Sequence, residues 1–334
     1  MTPYILHGFD PSPYSVKMRA IMRYRRLPFV WKAVGMPRDV AVQAGLPPVI
    51  PVLEFPDGRK MNDSTPLAHA LEREHPGVRS IVPDDPVQAF LSDLLEDFGD
   101  EWVTKMMFHY RWYYAADRDF AQAWITTSRD PTMPAPRRAA EMKAFNDRQV
   151  GRMAMVGCTE QNRPIIEDSY RFVLDTLDRH VRAVPYLFGS RPSLADFGLY
   201  GQLQILSVDP TPMAEMRARA IDVYCWLLRL DDASGIDGTW LDPGAPLPAT
   251  LTALLRHCGE TYLPFLAANL RALQDGAAEV TLDIQGRPYA QAPFRYQAKC
   301  LDALRKKRAA LPVDVLRRLD PILEETGCLA GLAG

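Results

Sequence analysis

Asp10-Pro-Ser-Pro-Tyr-Ser-Val-Lys-Met-Arg19 is the stretch that decides how the beginning of this chain folds. It follows a short apolar run at Tyr4–Leu6 and leads into a helical pattern that ends near Arg25. Ser12 suits the N-cap of this helix because its hydroxyl can accept from free backbone N–H groups, and Pro13 suits the first helical position. A polar ligand group above Ser12 would meet a hydroxyl and the positive end of a helix, although helix capping alone would also explain this serine.

The composition is that of an ordinary globular protein with enough apolar residues for a large core. The chain has 334 residues, of which 47% are hydrophobic and 24% are charged, and this length favours two domains or one domain with a large extension. The formal net charge of −2 provides no general attraction to nucleic acid or to an anionic membrane. The basic run Arg305–Arg308 is interpreted as a solvated helix face, so we expect no nucleic-acid partner.

The cysteines and the termini indicate a reducing compartment. The chain has 5 cysteines, an odd number at wide spacings, with no C-x-x-C pair and no His/Cys metal spacing. We therefore expect free thiols and no metal site. The N-terminus lacks a basic segment followed by an apolar core, and no run approaches the roughly 20 apolar residues of a membrane span. These observations predict a cytoplasmic protein without a membrane segment.

The first block of the chain alternates strands and helices. Phe29–Val34 is rich in β-branched and aromatic residues and predicts a second strand, parallel to the first through a right-handed crossover. Val52–Phe55 and Lys60–Asp63 flank a tight-turn sequence and predict a hairpin. Ser64-Thr-Pro then opens a helix that runs to about Glu74. The predicted order is βαβ followed by ββα.

The rest of the chain is predicted to be mostly helical. A Pro- and Gly-containing linker at 75–86 precedes helical patterns at about 87–115, 137–156, 163–184, from 192, and 213–228. Residues 234–248 are interpreted as a loop, followed by short helices near Leu251 and at 263–273. Glu279–Ile284 and Arg287–Ala290 flank Gln285-Gly286 and predict a small hairpin, with further helices at 296–310 and 313–324.

Four features stand in a characteristic order: Ser12-Pro-Tyr-Ser15, Val49-Ile-Pro51, Asp63-Ser64 and the capping box Ser193-Leu-Ala-Asp196. Over residues 3 to 230 the chain therefore resembles the glutathione transferase superfamily, in a bacterial-like branch that uses serine rather than tyrosine or cysteine. The resemblance implies an α/β thioredoxin-like domain at 1–78 and an all-α substrate domain at 86–231. Residues 232–334 would be an extra helical and hairpin extension of unknown role.

The resemblance also implies a glutathione site. Ser12 would donate a hydrogen bond to the glutathione sulfur, with Ser15 as the alternative donor and Tyr14 as a neighbour. A cis bond between Ile50 and Pro51 would expose backbone that pairs with the cysteinyl part of glutathione. The γ-glutamyl end would be bound by two further residues, Asp63 at the ammonium group and Ser64 at the carboxylate. Each of these residues also has an ordinary structural explanation, as a cap, a trans proline or a solvated carboxylate.

The electrophile pocket is expected between the two domains, against the first long helix. Trp102, Met106, His109 and Tyr113 share one face of that helix by spacing, although such an aromatic stripe serves equally well as core. For the glycyl carboxylate of glutathione, the candidates are Arg38 and Gln43.

The expected function is that of a glutathione transferase whose Ser12 stabilises a thiolate that attacks a small hydrophobic electrophile. Two alternatives stay open: a non-catalytic binding or scaffold protein with the same fold, and a glutathione-dependent lyase, isomerase or dehalogenase. Fold alone does not choose between these functions. The resemblance further implies a homodimer that pairs the first domain of one subunit with the second domain of the other.

Overall fold

A four-stranded sheet with the strand order β2-β1-β3-β4 forms the first part of the molecule. β1 (Tyr4–His7) runs parallel to β2 (Phe29–Lys32) and antiparallel to β3 (Val52–Glu54), which pairs antiparallel with β4 (Lys60–Asn62). The computed structural model describes residues 2–33, 35, 37–77 and 79–333. The predicted βαβ–ββα order is confirmed, with β2 ending at Lys32; Val34, the predicted end of this strand, lies outside the described residues.

Helices α1 (Pro13–Tyr24), α2 (Pro37–Gln43) and α3 (Ser64–Glu74) accompany this sheet. The apolar residues of α1 and α3 recur at helical spacing and are buried together with the inner faces of the strands. This periodicity explains why the first block could be predicted: each element has one apolar face and a clear turn or cap at its end.

The long helix predicted at 87–115 is present as one continuous helix over 86–113 that contains a π-helical segment. α4 (Pro86–Phe98) continues through a π-helical segment (Gly99–Val103) into α5 (Thr104–Tyr113). Tyr114 then adopts an extended conformation, with φ −83° and ψ 138°, and ends α5. A further helix, α6 (Ala115–Arg129), was not predicted from the sequence.

The remaining helices of the second part are α7 (Ala135–Val150), α8 (Arg163–Ala183), α9 (Leu194–Leu206), α10 (Pro210–Arg219) and α11 (Ile221–Asp231). The capping box predicted at the start of α9 is confirmed. The Asp196 carboxylate accepts from the Ser193 N–H at 2.8 Å and from the Ser193 hydroxyl at 2.6 Å. No helix within the described residues has the length and apolar content needed to span a membrane.

The C-terminal extension is folded and packs on the body of the protein. It comprises α12 (Ala249–His257), a π-helical segment (Cys258–Tyr262), α13 (Leu263–Asp275), β5 (Val280–Ile284), β6 (Arg287–Gln291), α14 (Arg295–Ala309), α15 (Val313–Glu325) and α16 (Leu329–Leu332). The predicted hairpin and the four helices predicted after residue 248 are confirmed. The Trp102 ring lies within 6.4 Å, centroid to centroid, of Tyr262, Phe265 and Tyr289 in the extension. The helix at 86–113 is therefore covered by the extension along one side.

A close backbone crossing joins the α4 segment to α9. A Cβ atom built on Gly99 would lie 2.8 Å from the carbonyl carbon of Gly198 and 2.9 Å from the backbone nitrogen of Leu199. Both contacts are to backbone, which cannot move aside as a side chain can. Glycine at position 99 therefore sets how closely these two helices approach.

A buried ion cluster joins α1 to α4. The Lys17 ammonium donates to Glu96 Oε1 at 2.5 Å and to Asp100 Oδ2 at 2.6 Å, and all three side chains are almost fully buried. Burial acts to lower the pKa of Lys17, but the charges of Asp100 and Glu96 outweigh burial and raise it. Burial raises the pKa of Asp100 to about 7 even though Lys17 opposes the rise. The cluster thus holds one cation against two carboxylates inside the protein.

Replacing Gly99 with alanine should destabilise the fold, because the new methyl group must push α9 away from the α4 segment. We expect a loss of about 1–3 kcal/mol in the free energy of unfolding, measured by chemical denaturation. Gly235→Ala is the matched control, since its Cβ would meet no atom within 4 Å and we expect a change of less than about 0.5 kcal/mol. Equal losses in the two variants would contradict a packing role for Gly99.

Lys17→Met should destabilise the fold by about 3–5 kcal/mol, because the buried carboxylates lose their cation. Without Lys17 the folded-state pKa of Asp100 rises further, and a carboxyl with a raised folded-state pKa loses stability as pH increases. The deficit relative to wild type should therefore grow between about pH 4 and pH 8 in denaturation experiments. Lys143→Met is the control, because Lys143 forms an exposed pair with Asp147, for which we expect a pH-independent change below about 0.5 kcal/mol.

Candidate functional site

The strand register brings three connecting segments to one edge of the sheet. His7 of β1 lies opposite Val52 of β3, and Val52 lies opposite Asn62 of β4. The chain leaves β1 after His7, enters β3 at Val52 and leaves β4 after Asn62, so the three connections begin or end in one row. These connections carry the predicted residues Ser12, Ile50, Pro51, Asp63 and Ser64.

Ser12 caps α1 as predicted. Its side-chain oxygen accepts from the Ser15 N–H at 3.4 Å, and its own N–H donates to the Phe9 carbonyl at 2.9 Å. Ser12 is 7% exposed, whereas Ser15 is fully buried and its hydroxyl has no hydrogen-bond partner among the described residues. Ser12 is therefore the more accessible of the two predicted donors.

The hydroxyl groups of Tyr14 and Tyr4 are hydrogen-bonded away from Ser12. The Tyr14 hydroxyl donates to the Asp100 carbonyl at 3.1 Å and lies 3.4 Å from Thr104 Oγ1. Tyr14 is thus directed into the junction between α1 and the helix at 86–113, and burial raises its pKa well above the ordinary value. Tyr4 is hydrogen-bonded to Glu74 and His75, at the end of β1 that is remote from Ser12.

The Ile50–Pro51 peptide bond is cis, as the family resemblance implied. The backbone N–H and C=O of Ile50 have no hydrogen-bond partner in the part of the chain that the structure describes. Asn62 holds the preceding loop, because its Nδ2 donates to the carbonyls of Pro47 at 2.6 Å and Val49 at 3.2 Å. This backbone segment can therefore pair with an extended ligand.

At the start of α3, Asp63 and Ser64 lie at the sheet edge as predicted, but their side chains are hydrogen-bonded to other residues of the protein. Asp63 precedes the helix with φ 75°, and its side chain makes no capping hydrogen bond. Its carboxylate instead accepts from the Tyr296 hydroxyl of the extension at 2.9 Å. The Ser64 hydroxyl is buried and directed inward, where it contacts Lys17 Nζ at 3.4 Å and donates to Asp100 Oδ2 at 3.3 Å. Burial raises the pKa of Asp63, and the Tyr296 hydrogen bond opposes this rise.

The four residues predicted for the electrophile pocket lie on the other side of the helix from Ser12. Trp102 and Met106 are buried, with Trp102 packed on the extension. His109 is fully buried, stacks on Tyr113 at 4.7 Å between centroids, and contacts Glu167 of α8 at 3.1 Å through Nε2. Burial lowers the pKa of His109. The structure therefore packs this face against α8 and the extension, and these side chains have no contact with Ser12.

The face of the helix that approaches Ser12 carries Thr104, Phe108, Arg111 and Trp112. Arg111 Nη1 donates to the Pro11 carbonyl at 2.9 Å, and the same guanidinium is held by both carboxylate oxygens of Asp209 at 2.8 and 3.0 Å. The spacing of these residues was available in the sequence. Aromatic residues are equally dense on both faces, however, so the pattern alone did not indicate which face meets the first domain.

An apolar group adjoins the Ser12 loop. Trp112, Ala121 and Ile125 are buried at its centre, and the half-buried side chains around them are Phe9, Phe108, Phe145 and Met153. Phe9 is the residue whose carbonyl accepts from the Ser12 N–H, so this group lies next to the capping loop. Its members from α6 could not be predicted because α6 itself was missed, and Phe145 lies on the helix predicted at 137–156 but was not assigned to a site.

Arg38 and Gln43 are both exposed on α2, and neither forms a hydrogen bond or ion pair with the described residues at the sheet edge. Within the described ranges, no group of three or more His, Cys, Asp or Glu side chains is placed to hold a metal ion.

Comparison with known families identifies both parts of the fold. Residues 6–79 match the family described as "Glutathione S-transferase, N-terminal domain", and residues 166–258 match "Glutathione S-transferase, C-terminal domain". Together the two matches span half of the 334 residues. A comparison with curated proteins found no match.

Several solved structures share the architecture at low identity. The β-etherase LigF from Sphingobium sp. strain SYK-6 is 18% identical, with a TM-score of 0.50 over 69% of this chain and 95% of that chain. A glutathione S-transferase from Methylobacterium radiotolerans in complex with glutathione sulfonate is 20% identical, with a TM-score of 0.44 over 74% of this chain and 100% of that chain. A Tau class glutathione S-transferase from mango, Mangifera indica, is 17% identical, with a TM-score of 0.42 over 75% of this chain and 96% of that chain. With an α/β first domain, a helical second domain and an additional C-terminal segment, the chain belongs to the glutathione S-transferase family.

Proposed function

We propose that this protein is a glutathione transferase that binds reduced glutathione at the sheet edge and uses Ser12 to stabilise its sulfur as a thiolate. The observation that carries the proposal is the convergence at one sheet edge of the Ser12 cap, the cis Ile50–Pro51 segment and the start of α3. Separately, each of these features has an ordinary structural explanation. Together they would bind the cysteinyl and γ-glutamyl parts of glutathione.

Ser12 acts as a hydrogen-bond donor in this proposal. Glutathione would supply the nucleophilic sulfur, whose free thiol has a pKa of about 8.5. The Ser12 hydroxyl and the N-terminus of α1 both favour a negative charge at that position, and both lower the thiol pKa. Ser12 itself forms no covalent bond.

The other residues position the ligand. The N–H and C=O of Ile50 pair with the cysteinyl backbone, since both groups lack a partner in the described part of the protein. The N-terminus of α3, which has no side-chain cap, receives the γ-glutamyl carboxylate through backbone N–H groups at Ser64. Asp63 lies beside that position and meets the ammonium group.

The electrophile would lie against the apolar group that includes Phe9, Phe108, Phe145 and Met153. These side chains are half-buried and therefore offer apolar surface next to Ser12. They take the role first expected for the residues at 102, 106, 109 and 113. A small hydrophobic electrophile suits this surface because burial of apolar area is its main source of affinity.

A second candidate is a binding protein without turnover, and one observation favours it. The Ser64 hydroxyl and the Asp63 carboxylate are already engaged, by Lys17 with Asp100 and by Tyr296 respectively. A ligand at the start of α3 must therefore use backbone groups or displace Tyr296. Glutathione binding without turnover across a panel of electrophiles would support this candidate, whereas regeneration of glutathione would favour lyase, isomerase or dehalogenase chemistry.

The proposal includes a cytoplasmic homodimer, which the family resemblance implies. Analytical sedimentation at micromolar concentration tests the assembly. A mass of one chain would remove the dimer from the proposal without affecting the glutathione site.

Ser12→Ala should lower kcat/KM by about 10- to 100-fold, because the thiolate loses one charge-assisted hydrogen bond. The pKa of the bound thiol, followed by thiolate absorbance against pH, should rise toward its free value of about 8.5. Glutathione affinity, measured by calorimetry, should change little. Ser12→Thr keeps the hydroxyl and should retain most of the activity, which separates the chemical role from helix capping.

Ser15→Ala is the comparison that assigns the donor. If Ser15→Ala raises the thiol pKa and Ser12→Ala does not, the donor is Ser15. If wild type binds no glutathione at millimolar concentration, the enzymatic proposal fails as a whole.

A further inference from the structure

Positively charged side chains lie beside the apolar group that adjoins the Ser12 loop. The guanidinium carbon of Arg148 lies 4.7 Å from the centroid of the Phe145 ring, and that of Arg129 lies 6.0 Å from it. Arg152 follows one helical turn after Arg148, in the turn that ends α7. Arg38 approaches from α2 of the first domain, and its charge acts on Arg148 together with those of Arg152 and Arg129.

The position of these arginines is fixed by contacts between the two domains. The Gly35 N–H donates to the Arg129 carbonyl at 3.4 Å, which places the segment before α2 against the end of α6. Phe145, which carries two of the guanidinium groups, belongs to the apolar group that also contains Phe9. Arg129 and Arg148 therefore lie beside the apolar group that adjoins the Ser12 loop.

The protein does not neutralise this charge. Arg129 pairs with Glu141 at 2.8 Å. Arg38, Arg148 and Arg152, by contrast, have no hydrogen bond to a carboxylate within the described residues. Burial lowers the pKa of Arg148, and the neighbouring arginine charges lower it further. Like charges that converge without a partner disfavour the folded state slightly, and a bound anion would relieve this repulsion.

α7 lies at the surface of the protein and is not part of its core. None of its 16 residues is buried, although Phe145 faces the apolar group. A guanidinium stacked on an aromatic ring is pre-organised for planar anions such as carboxylates, which it binds through two parallel hydrogen bonds. The apolar group and these arginines together fit a ligand with an apolar or aromatic body and a carboxylate at one end.

We propose that Arg148 and Arg152 bind a carboxylate of the electrophile, so that the preferred substrates are apolar, aromatic electrophiles with an anionic group. This inference rests on the proposed function, because it places the electrophile against the apolar group beside the Ser12 loop. Glutathione itself has a carboxylate at its glycyl end. The experiment must therefore distinguish binding of that carboxylate from binding of a carboxylate on the electrophile.

The test uses glutathione thioethers, which fill both halves of the site and need no turnover. Affinities of glutathione, S-benzylglutathione and S-(4-carboxybenzyl)glutathione are measured by calorimetry for wild type, Arg148→Gln, Arg152→Gln and the double variant. Wild type should bind the carboxylated thioether about tenfold more tightly than S-benzylglutathione. The double variant should lose this preference and keep its affinity for the other two ligands.

Three results would overturn the inference. The first is equal affinity of wild type for the two thioethers. The second is an equal loss of affinity for all three ligands in the variants, which would assign the arginines to the glycyl carboxylate of glutathione. The third is a wild type that binds none of the ligands, which would also end the proposed function, whereas the first two leave it intact. Arg317→Gln, an exposed arginine on α15, is the matched control and should change none of the affinities.

Discussion

The buried ammonium of Lys17 is the interaction on which the arrangement of the two domains depends. It belongs to α1, the helix that Ser12 caps, and it is held by two carboxylates of the second part, Glu96 and Asp100. A charge inside a protein is tolerated only with close partners, so α1 cannot slide or rotate against α4 without exposing an unpaired ion. The same ammonium contacts the Ser64 hydroxyl at 3.4 Å, which ties the start of α3 to this cluster. One cation thus fixes the relative positions of the two helix N-termini in the proposed glutathione site.

The carboxylates on this helix also explain why the extension packs where it does. Asp97 and Glu101 face away from Lys17, Asp97 half-buried and Glu101 buried, and burial raises the pKa of Asp97 to about 7 and that of Glu101 well above its ordinary value. The Tyr262 hydroxyl of the extension donates to Asp97 at 2.7 Å. The extension therefore supplies hydrogen bonds to groups that the first 231 residues leave without a cation. The helix at 86–113 consequently has neighbours on every side.

This burial on all sides accounts for what the sequence could and could not predict. The strands, the α1 cap, the hairpin at 280–291 and the Ser193–Asp196 box were predictable because each depends on residues a few positions apart. The pocket face was not, because a helix with aromatic residues all round has no single apolar stripe to orient it. The direction of the Ser64 hydroxyl depends on Lys17 and Asp100, which are distant in sequence. α6 was missed because the change at Tyr114 is a conformational break without a proline or glycine to mark it.

The two halves of the proposed site are encoded in different ways. The glutathione half depends on the sheet register and on helix caps, and it falls inside the matched first domain at 6–79. The electrophile half depends largely on α6 and α7, which lie between the two matched segments. Because no residue of α7 is buried, most of its side chains, apart from Phe145 in the apolar group, can change without loss of core packing. Selectivity for the electrophile can therefore vary through α7 while the fold and the binding of glutathione are retained, and Arg148, which has no carboxylate partner among the described residues, lies on this helix.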